Sequence, residues 1–249
     1  MEDKEYNLFY ALNRLINNTE ESVDTILAKY FLENYFKAKD FNIYAIAADC
    51  HVSRSSIRRF AENLGYQNFQ NLKKNMIDNC KQLPSIDDQK YRALLTNTIV
   101  NIAEELDHRM DTDQVDVICE CIRRSHNFYI VCSGASLSAV KDFQVRLAAK
   151  NKVSRIINGE EKLAYLKNIL TDQDCILIIS VLGISAVDLQ NYFKEIGAEK
   201  ILITANRIAS FEEDYSKVYY MSHLDHSHNP DLYRKYGLSY LLDILVNHY

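Results

Sequence analysis

Apolar residues recur at steps of three and four through the first 80 residues, which is the period of an amphipathic α-helix. The segment "NIYAIAADC" shows this spacing at Ile43, Ile46, Ala47 and Cys50. The next segment, "SRSSIRRFAENLG", opens with serine, a preferred helix N-cap, and closes with glycine, a preferred helix stop. The pattern predicts an all-α domain over residues 1–80.

From residue 126 the pattern changes to short apolar runs that alternate with helical segments. The runs are "NFYIVC", "SRII", "DCILIIS", "KILIT" and "KVYYM". Such alternation is typical of a parallel sheet that helices cover on both faces. The polar segment 81–86, which contains Pro84, is the predicted linker, and helices are predicted over 87–110 and 113–124. We therefore expect an α/β chain whose residues 87–249 form an αβα sandwich with a five-stranded parallel sheet.

Composition narrows the classes of partner. The 249 residues carry 29 basic and 34 acidic side chains, a formal net charge of −5, so any surface for nucleic acid must be local. The six cysteines include no C-x-x-C pair and are expected to be reduced thiols. The N-terminus "MEDKEYN" does not read as a signal peptide, and no apolar run reaches 18 residues. We expect a cytoplasmic protein without a membrane partner.

One such local surface is the basic stretch "CHVSRSSIRRF", residues 50–60. If Ile57 and Phe60 face the core, the helical period turns Arg58 and Arg59 outward. A helix of this kind can enter the DNA major groove, where arginine binds guanine in bidentate fashion. The alternative is a solvated basic helix, and the registered apolar pattern favours a helix-turn-helix instead. The candidate DNA-binding residues are Ser53, Arg54, Ser55, Ser56, Arg58 and Arg59.

The segment "IAADCHVSRSSIRRFAENLGYQNFQNLK" resembles the N-terminal domain of RpiR/MurR-type transcriptional regulators. The matching residues are Val52, Ser53, Arg59, Phe60, Leu64, Gly65, Tyr66, Phe69, Leu72 and Lys73. His51 and Asn68 stand where the family has glycine, but histidine tolerates the positive φ that the turn needs. The resemblance implies that the chain binds operator DNA as a homodimer or a higher homo-oligomer.

Two serine loops follow the first and third predicted strands, "CSGAS" and "SVLGIS". In a sheet of order 2-1-3-4-5 these strands are neighbours at the switch point, so both loops would line one crevice. Hydroxyls and helix-start N–H groups suit a phosphate there. A serine or glycine at a strand-to-helix turn is more often an ordinary helix cap, so each loop alone is weak evidence, and the occurrence of two at the switch point strengthens the prediction of a phosphate site.

This half resembles the sugar isomerase (SIS) domain, which binds phosphorylated sugars and is the usual C-terminal partner in the same regulators. The resemblance carries ligand-binding roles to Gly134, Ser136, Ser180, Gly183 and Ser185. Cys132 replaces a glycine of the family pattern, and Leu182 replaces a serine, which removes one hydroxyl from the phosphate cradle.

Two further clusters are interpreted without a role in chemistry. His223, His226 and His228 are expected to form a surface loop rather than a metal site, and Glu160 and Glu161 the acidic first turn of a helix rather than a general base. We predict no catalytic residue, cofactor or metal. The leading hypothesis is a regulator of carbohydrate metabolism that senses a phosphorylated sugar. The alternatives are a regulator whose SIS domain only dimerises, and a sugar-phosphate isomerase.

Overall fold

The computed structural model describes residues 4–17, 21–80, 87–110, 113–207, 210–223 and 230–249. Its internal contacts divide the chain into two compact units, Met1–Asp87 and Asp88–Tyr249. The predicted linker 81–86 lies outside the described residues.

The first unit consists of helices around one aromatic-rich core. Phe31 is fully buried, and its ring lies 5.5 Å from that of Phe60 and 5.4 Å from that of Phe41. Each helix in the described part of this unit contributes buried side chains to the core. A 3-10 helix, Tyr35–Asp40, lies between the second and third α-helices of this unit. The helices are α1 (Lys4–Ile16), α2 (Val23–Glu33), α3 (Ile43–Asp49), α4 (Arg54–Asn63) and α5 (Phe69–Cys80).

The second unit is built on a five-stranded sheet with the order β2-β1-β3-β4-β5, in which every neighbouring pair is parallel. This confirms the predicted fold and strand order. At the centre, β1 and β3 run in register from Phe128 opposite Cys175 to Cys132 opposite Ile179. The strands are β1 (Phe128–Cys132), β2 (Ser154–Ile157), β3 (Cys175–Ile179), β4 (Glu199–Thr204) and β5 (Lys217–Tyr220).

Helices cover both faces of the sheet, because alternate residues of each strand point to opposite sides. Phe128 and Ile130 of β1 pack into the core on one face, whereas Tyr129 and Val131 pack into the core on the other. The central strands β1 and β3 are buried along their whole length, which explains their uninterrupted apolar runs.

The first face holds α6, α7, α8 and α12, and the second holds α9 and α10. These helices are α6 (Asp88–Met110), α7 (Asp113–Arg124), α8 (Leu137–Ala149), α9 (Glu160–Ile169), α10 (Ile184–Tyr192), α11 (Pro230–Leu232) and α12 (Leu238–His248). Within the described part of the chain, no helix has the length and apolar content that crossing a membrane requires.

Candidate DNA-binding helix and ligand loops

A short turn between α3 and α4 sets the geometry of the predicted helix-turn-helix. His51 adopts φ 53, the left-handed conformation expected at the position where the family has glycine. Val52 then donates its backbone N–H to the carbonyl of Ala47 at 3.0 Å, which closes the turn. The histidine therefore performs the conformational role of the missing glycine.

The two faces of α4 are segregated as the sequence predicts. Ile57, Phe60 and Ala61 are fully buried in the core of the first unit. Arg58 and Arg59 are exposed on the other side. Since neither arginine is needed for packing, this face can meet a partner without a change in the fold.

The serines at the start of α4 fix the position of its first turn. The Ser53 hydroxyl oxygen accepts a hydrogen bond from the backbone N–H of Ser56 at 3.0 Å, the expected N-cap contact. The same oxygen lies 2.7 Å from the Ser55 hydroxyl and 2.9 Å from the Ser56 hydroxyl. Ser53 and Ser55 are exposed and Ser56 is half-buried. Ser53 thus has a structural role in addition to any contact with DNA.

One cation near α4 has a role that the sequence does not reveal. Lys73 of α5 donates its ammonium group to the carbonyl oxygen of Phe41 at 2.8 Å and is half-buried. It therefore anchors the segment before α3. Lys74, its neighbour, is exposed.

An acidic group at the end of α3 is also held in place. Tyr30 donates its hydroxyl to the carboxylate of Asp49 at 3.0 Å. Burial, reinforced by that bond and by the charge of Asp49, raises the pKa of Tyr30 to about 12. The hydroxyl consequently stays protonated, and keeps donating to the carboxylate, even at a pH near the ordinary tyrosine pKa of 10.0.

In the second unit, the two serine loops leave the carboxyl ends of adjacent strands. Cys132 of β1 lies opposite Ile179 of β3, so Ser133 and Ser180 begin the two loops side by side. Ser136 is almost fully buried and closes a 3-10 turn over Gly134–Ser136. The sheet therefore places the predicted loops at one switch point.

Ser180 holds the start of α10. Its hydroxyl oxygen accepts a hydrogen bond from the backbone N–H of Ala186 at 3.2 Å, and its side chain is buried. Leu182 is half-buried in the same loop, and Ser185 is half-buried in the first turn of α10. The contact that stabilises the first turn of α10 and the predicted ligand contact thus fall on the same serine.

Gly183 occupies a position that only glycine fits. Its φ is 78, in the left-handed region, and an added Cβ would lie 2.6 Å from the Cβ of Asn206. Asn206 in turn donates its side-chain amide to the carbonyl of Leu182 at 2.8 Å. The loop is therefore clamped against the end of β4.

Sequence reasoning missed this asparagine and a second one. Asn158, just after β2, donates to the carbonyl of Cys132 at 3.2 Å. Each serine loop thus has a backbone carbonyl held by an asparagine from a neighbouring strand end. The position of both asparagines directly after apolar runs is a signal that the sequence does contain.

The two clusters that the sequence analysis left without a role are only partly described by the structure. The helix α9 begins at Glu160, and Glu161 is exposed in its first turn. His226 and His228 lie outside the described residues. The residues that the structure describes contain no group of three or more His, Cys, Asp or Glu side chains that could hold a metal ion.

Comparison with known proteins covers both units. Residues 11–82 match the family model of the helix-turn-helix domain of the rpiR family. No curated protein sequence matches the chain significantly.

Among solved structures, the Vibrio vulnificus NanR protein complexed with ManNAc-6P is similar over 97% of this chain and 90% of that chain, with 15% identity and a TM-score of 0.56. The sugar isomerase domain of an RpiR transcription factor from Sphaerobacter thermophilus aligns over 61% of this chain and 87% of its own, with 16% identity and a TM-score of 0.51. A putative phosphosugar isomerase from Bacteroides fragilis aligns over 65% and 89%, with 16% identity and a TM-score of 0.53.

The chain thus combines a helix-turn-helix domain with an SIS-like α/β domain. The N-terminal domain is of the RpiR type, which confirms the resemblance to RpiR/MurR-type regulators.

Proposed function

We propose that this protein is a DNA-binding transcriptional regulator of carbohydrate metabolism that responds to a phosphorylated sugar. The first unit binds operator DNA through α4, and the loops after β1 and β3 bind the sugar phosphate. The protein acts as a homodimer in the cytoplasm, so the operator is a near-palindrome with two half-sites. Ligand binding shifts the equilibrium between states that differ in operator affinity.

The observation that carries the DNA-binding proposal is the segregation of α4. Its inner face is fully buried at Ile57 and Phe60, while Arg58 and Arg59 are exposed. The match of residues 11–82 to the RpiR helix-turn-helix model supports the same role.

Two observations support the ligand proposal. The serine loops leave adjacent strand ends at the switch point, where α/β sheets bind ligands. The similar NanR protein is described in complex with ManNAc-6P, a phosphorylated sugar. The ligand residues proposed here are those predicted from the sequence: Gly134, Ser136, Ser180, Gly183 and Ser185.

The DNA-binding proposal is tested by Arg58→Ala and Arg59→Ala, with a duplex selected from random sequences by the wild-type protein. A base-contacting arginine should cost about 1–3 kcal/mol and relax specificity, whereas a phosphate-contacting one should weaken all duplexes alike and reduce the salt dependence. Lys29→Ala is the matched control, because Lys29 is an exposed cation on α2. Unchanged affinity in both arginine variants, with folding intact, would show that the face carrying Arg58 and Arg59 is not the recognition face.

A second candidate is a regulator whose SIS domain only dimerises. Leu182 favours it, because a leucine replaces a hydroxyl in the loop and is half-buried there. An enzyme, a sugar-phosphate isomerase, is disfavoured by the helix-turn-helix domain. Calorimetric titration with a panel of phosphosugars, ManNAc-6P included, separates the three. Binding without turnover supports the sensor, and turnover supports the isomerase. The absence of both binding and turnover supports the domain that only dimerises.

A further inference from the structure

An exposed aromatic ring lies beside the first turn of α4. Tyr44, the second residue of α3, is 64% exposed, so packing of the core does not account for it. The guanidinium carbon of Arg54 lies over its ring, 4.7 Å from the ring centroid. This is within the range of a cation–π contact, which extends to about 6 Å.

Tyr44 and Arg54 each lie at the start of a helix whose first turn is held by its own cap. The side chain of Asn42 caps α3 by accepting the backbone N–H of Tyr44 itself at 2.8 Å. Ser53 caps α4 immediately before Arg54. The contact therefore links the starts of the two helices on the solvent side of the turn, between two anchored points.

The contact also suits the chemistry of base recognition. A guanidinium carbon held over an aromatic ring leaves N–H donors at the edge of the guanidinium group available to a partner. Those donors are the fork that binds guanine O6 and N7. Stacking restricts the rotamers of a long side chain before DNA arrives, so less conformational entropy is lost on binding.

We infer that Tyr44 is a positioning residue that holds Arg54 ready for a base contact, an inference that rests on the DNA-binding function proposed above. Arg54 occupies the first position of α4, and the N-terminal residues of a recognition helix are those that reach base edges. Tyr44 acts through the aromatic ring rather than through its hydroxyl.

The test is a double-mutant cycle in the full-length protein, measured by fluorescence anisotropy on the selected duplex and on a scrambled duplex of equal composition. Tyr44→Ala should weaken binding to the selected duplex about three- to tenfold, because the side chain of Arg54 must then be ordered when DNA binds. The affinity for the scrambled duplex should not change. Tyr44→Phe, which keeps the ring, should bind within about twofold of wild type. The double variant Tyr44→Ala/Arg54→Ala should bind no more weakly than Arg54→Ala alone.

Each alternative result has a defined meaning. Additive losses in the double variant, or equal losses in Tyr44→Phe and Tyr44→Ala, would overturn the positioning role, because Tyr44 would then act without Arg54 or through its hydroxyl. If Arg54→Ala, Arg58→Ala and Arg59→Ala all bind as wild type, the DNA-binding proposal itself fails.

An NMR measurement on the free protein tests the contact between Tyr44 and Arg54 independently of DNA binding. The ring should shift the NMR resonance of the Arg54 Nε–H group upfield, and Tyr44→Ala should abolish that shift while Tyr44→Phe preserves it. An Arg54 resonance at the same position in all three proteins would show that the guanidinium does not rest on the ring in solution. Thermal stability should be equal in the three proteins, since Tyr44 is largely exposed.

Discussion

Substitution of Gly183 by alanine tests the geometry of the second serine loop directly. The left-handed conformation at φ 78 costs an L-residue roughly 1–2 kcal/mol. The new Cβ would also lie 2.6 Å from the Cβ of Asn206, so the loop or the end of β4 must move. Such a movement would lengthen or break the 2.8 Å hydrogen bond from the Asn206 amide to the Leu182 carbonyl. The loss of that bond would cost about 1 kcal/mol of stability.

Together these effects predict a loss of about 2–3 kcal/mol in the free energy of unfolding. In a domain of 150–250 residues, 1 kcal/mol shifts Tm by roughly 2–4 °C, so the drop should be roughly 4–12 °C. Differential scanning calorimetry of the full chain measures it. Gly65→Ala is the matched control: Gly65 has φ 83 in the first unit, and a Cβ there meets nothing within 4 Å. Gly65→Ala should therefore lower the free energy of unfolding only by the cost of the left-handed conformation.

The role of the close contact is isolated by adding Asn206→Gly to Gly183→Ala. The second change removes the opposing Cβ, so the double variant should be more stable than the sum of the two single losses. Additive losses would refute the clamp between this loop and β4. So would a loss in the free energy of unfolding of the second unit in Gly183→Ala that is no larger than the loss of the first unit in Gly65→Ala, each computed from that unit's own transition. If the proposed sugar-phosphate site exists, titration of the same variants with the phosphosugar panel should show weaker binding in Gly183→Ala, because the loop backbone is displaced.

Three further outcomes are expected. Leu182→Ser should restore one neutral hydrogen bond and tighten phosphosugar binding up to about tenfold in calorimetry; equal affinities would show that the hydroxyl is not a contact. Sedimentation at micromolar concentration should give a homodimer, and a monomer with and without DNA would contradict the proposed assembly. Burial raises the pKa of Asp174, but hydrogen bonds from Thr171 and Asn127 outweigh it and lower the pKa below its ordinary value. The stability from Asp174 is thus present above its unfolded pKa and lost as pH falls through the folded one, so Asp174→Asn should flatten the acid limb in urea denaturation.

The fold was largely predictable because the strands of the second unit are covered on both faces. Burial on both sides forces uninterrupted apolar runs, and β1 and β3 are buried throughout. The outward face of α4 was predictable for a related reason. Once Ile57 and Phe60 are assigned to the core, the helical period fixes where Arg58 and Arg59 point.

The contacts that define the candidate sites could not be derived in this way, because their partners are distant in sequence. Lys73 reaches the carbonyl of Phe41 across 32 residues, and no periodicity predicts that its ammonium group is bound within the first unit. Asn206 reaches Leu182 across 24 residues. A local pattern records which side of an element a residue occupies, but not which chain segment lies opposite it.

The hydrogen bond of Ser180 bears on the choice between a sugar-phosphate sensor and a domain that only dimerises. A serine hydroxyl has one hydrogen and two lone pairs. Ser180 uses a lone pair to accept the N–H of Ala186, so its hydrogen remains usable by an anionic oxygen while the cap persists. Capping and phosphate binding are therefore compatible at this residue. Gly183 and the backbone N–H groups at the start of α10 do not depend on a side chain at position 182, so in the proposed sensor the leucine would remove one hydroxyl and leave these groups available to a phosphate.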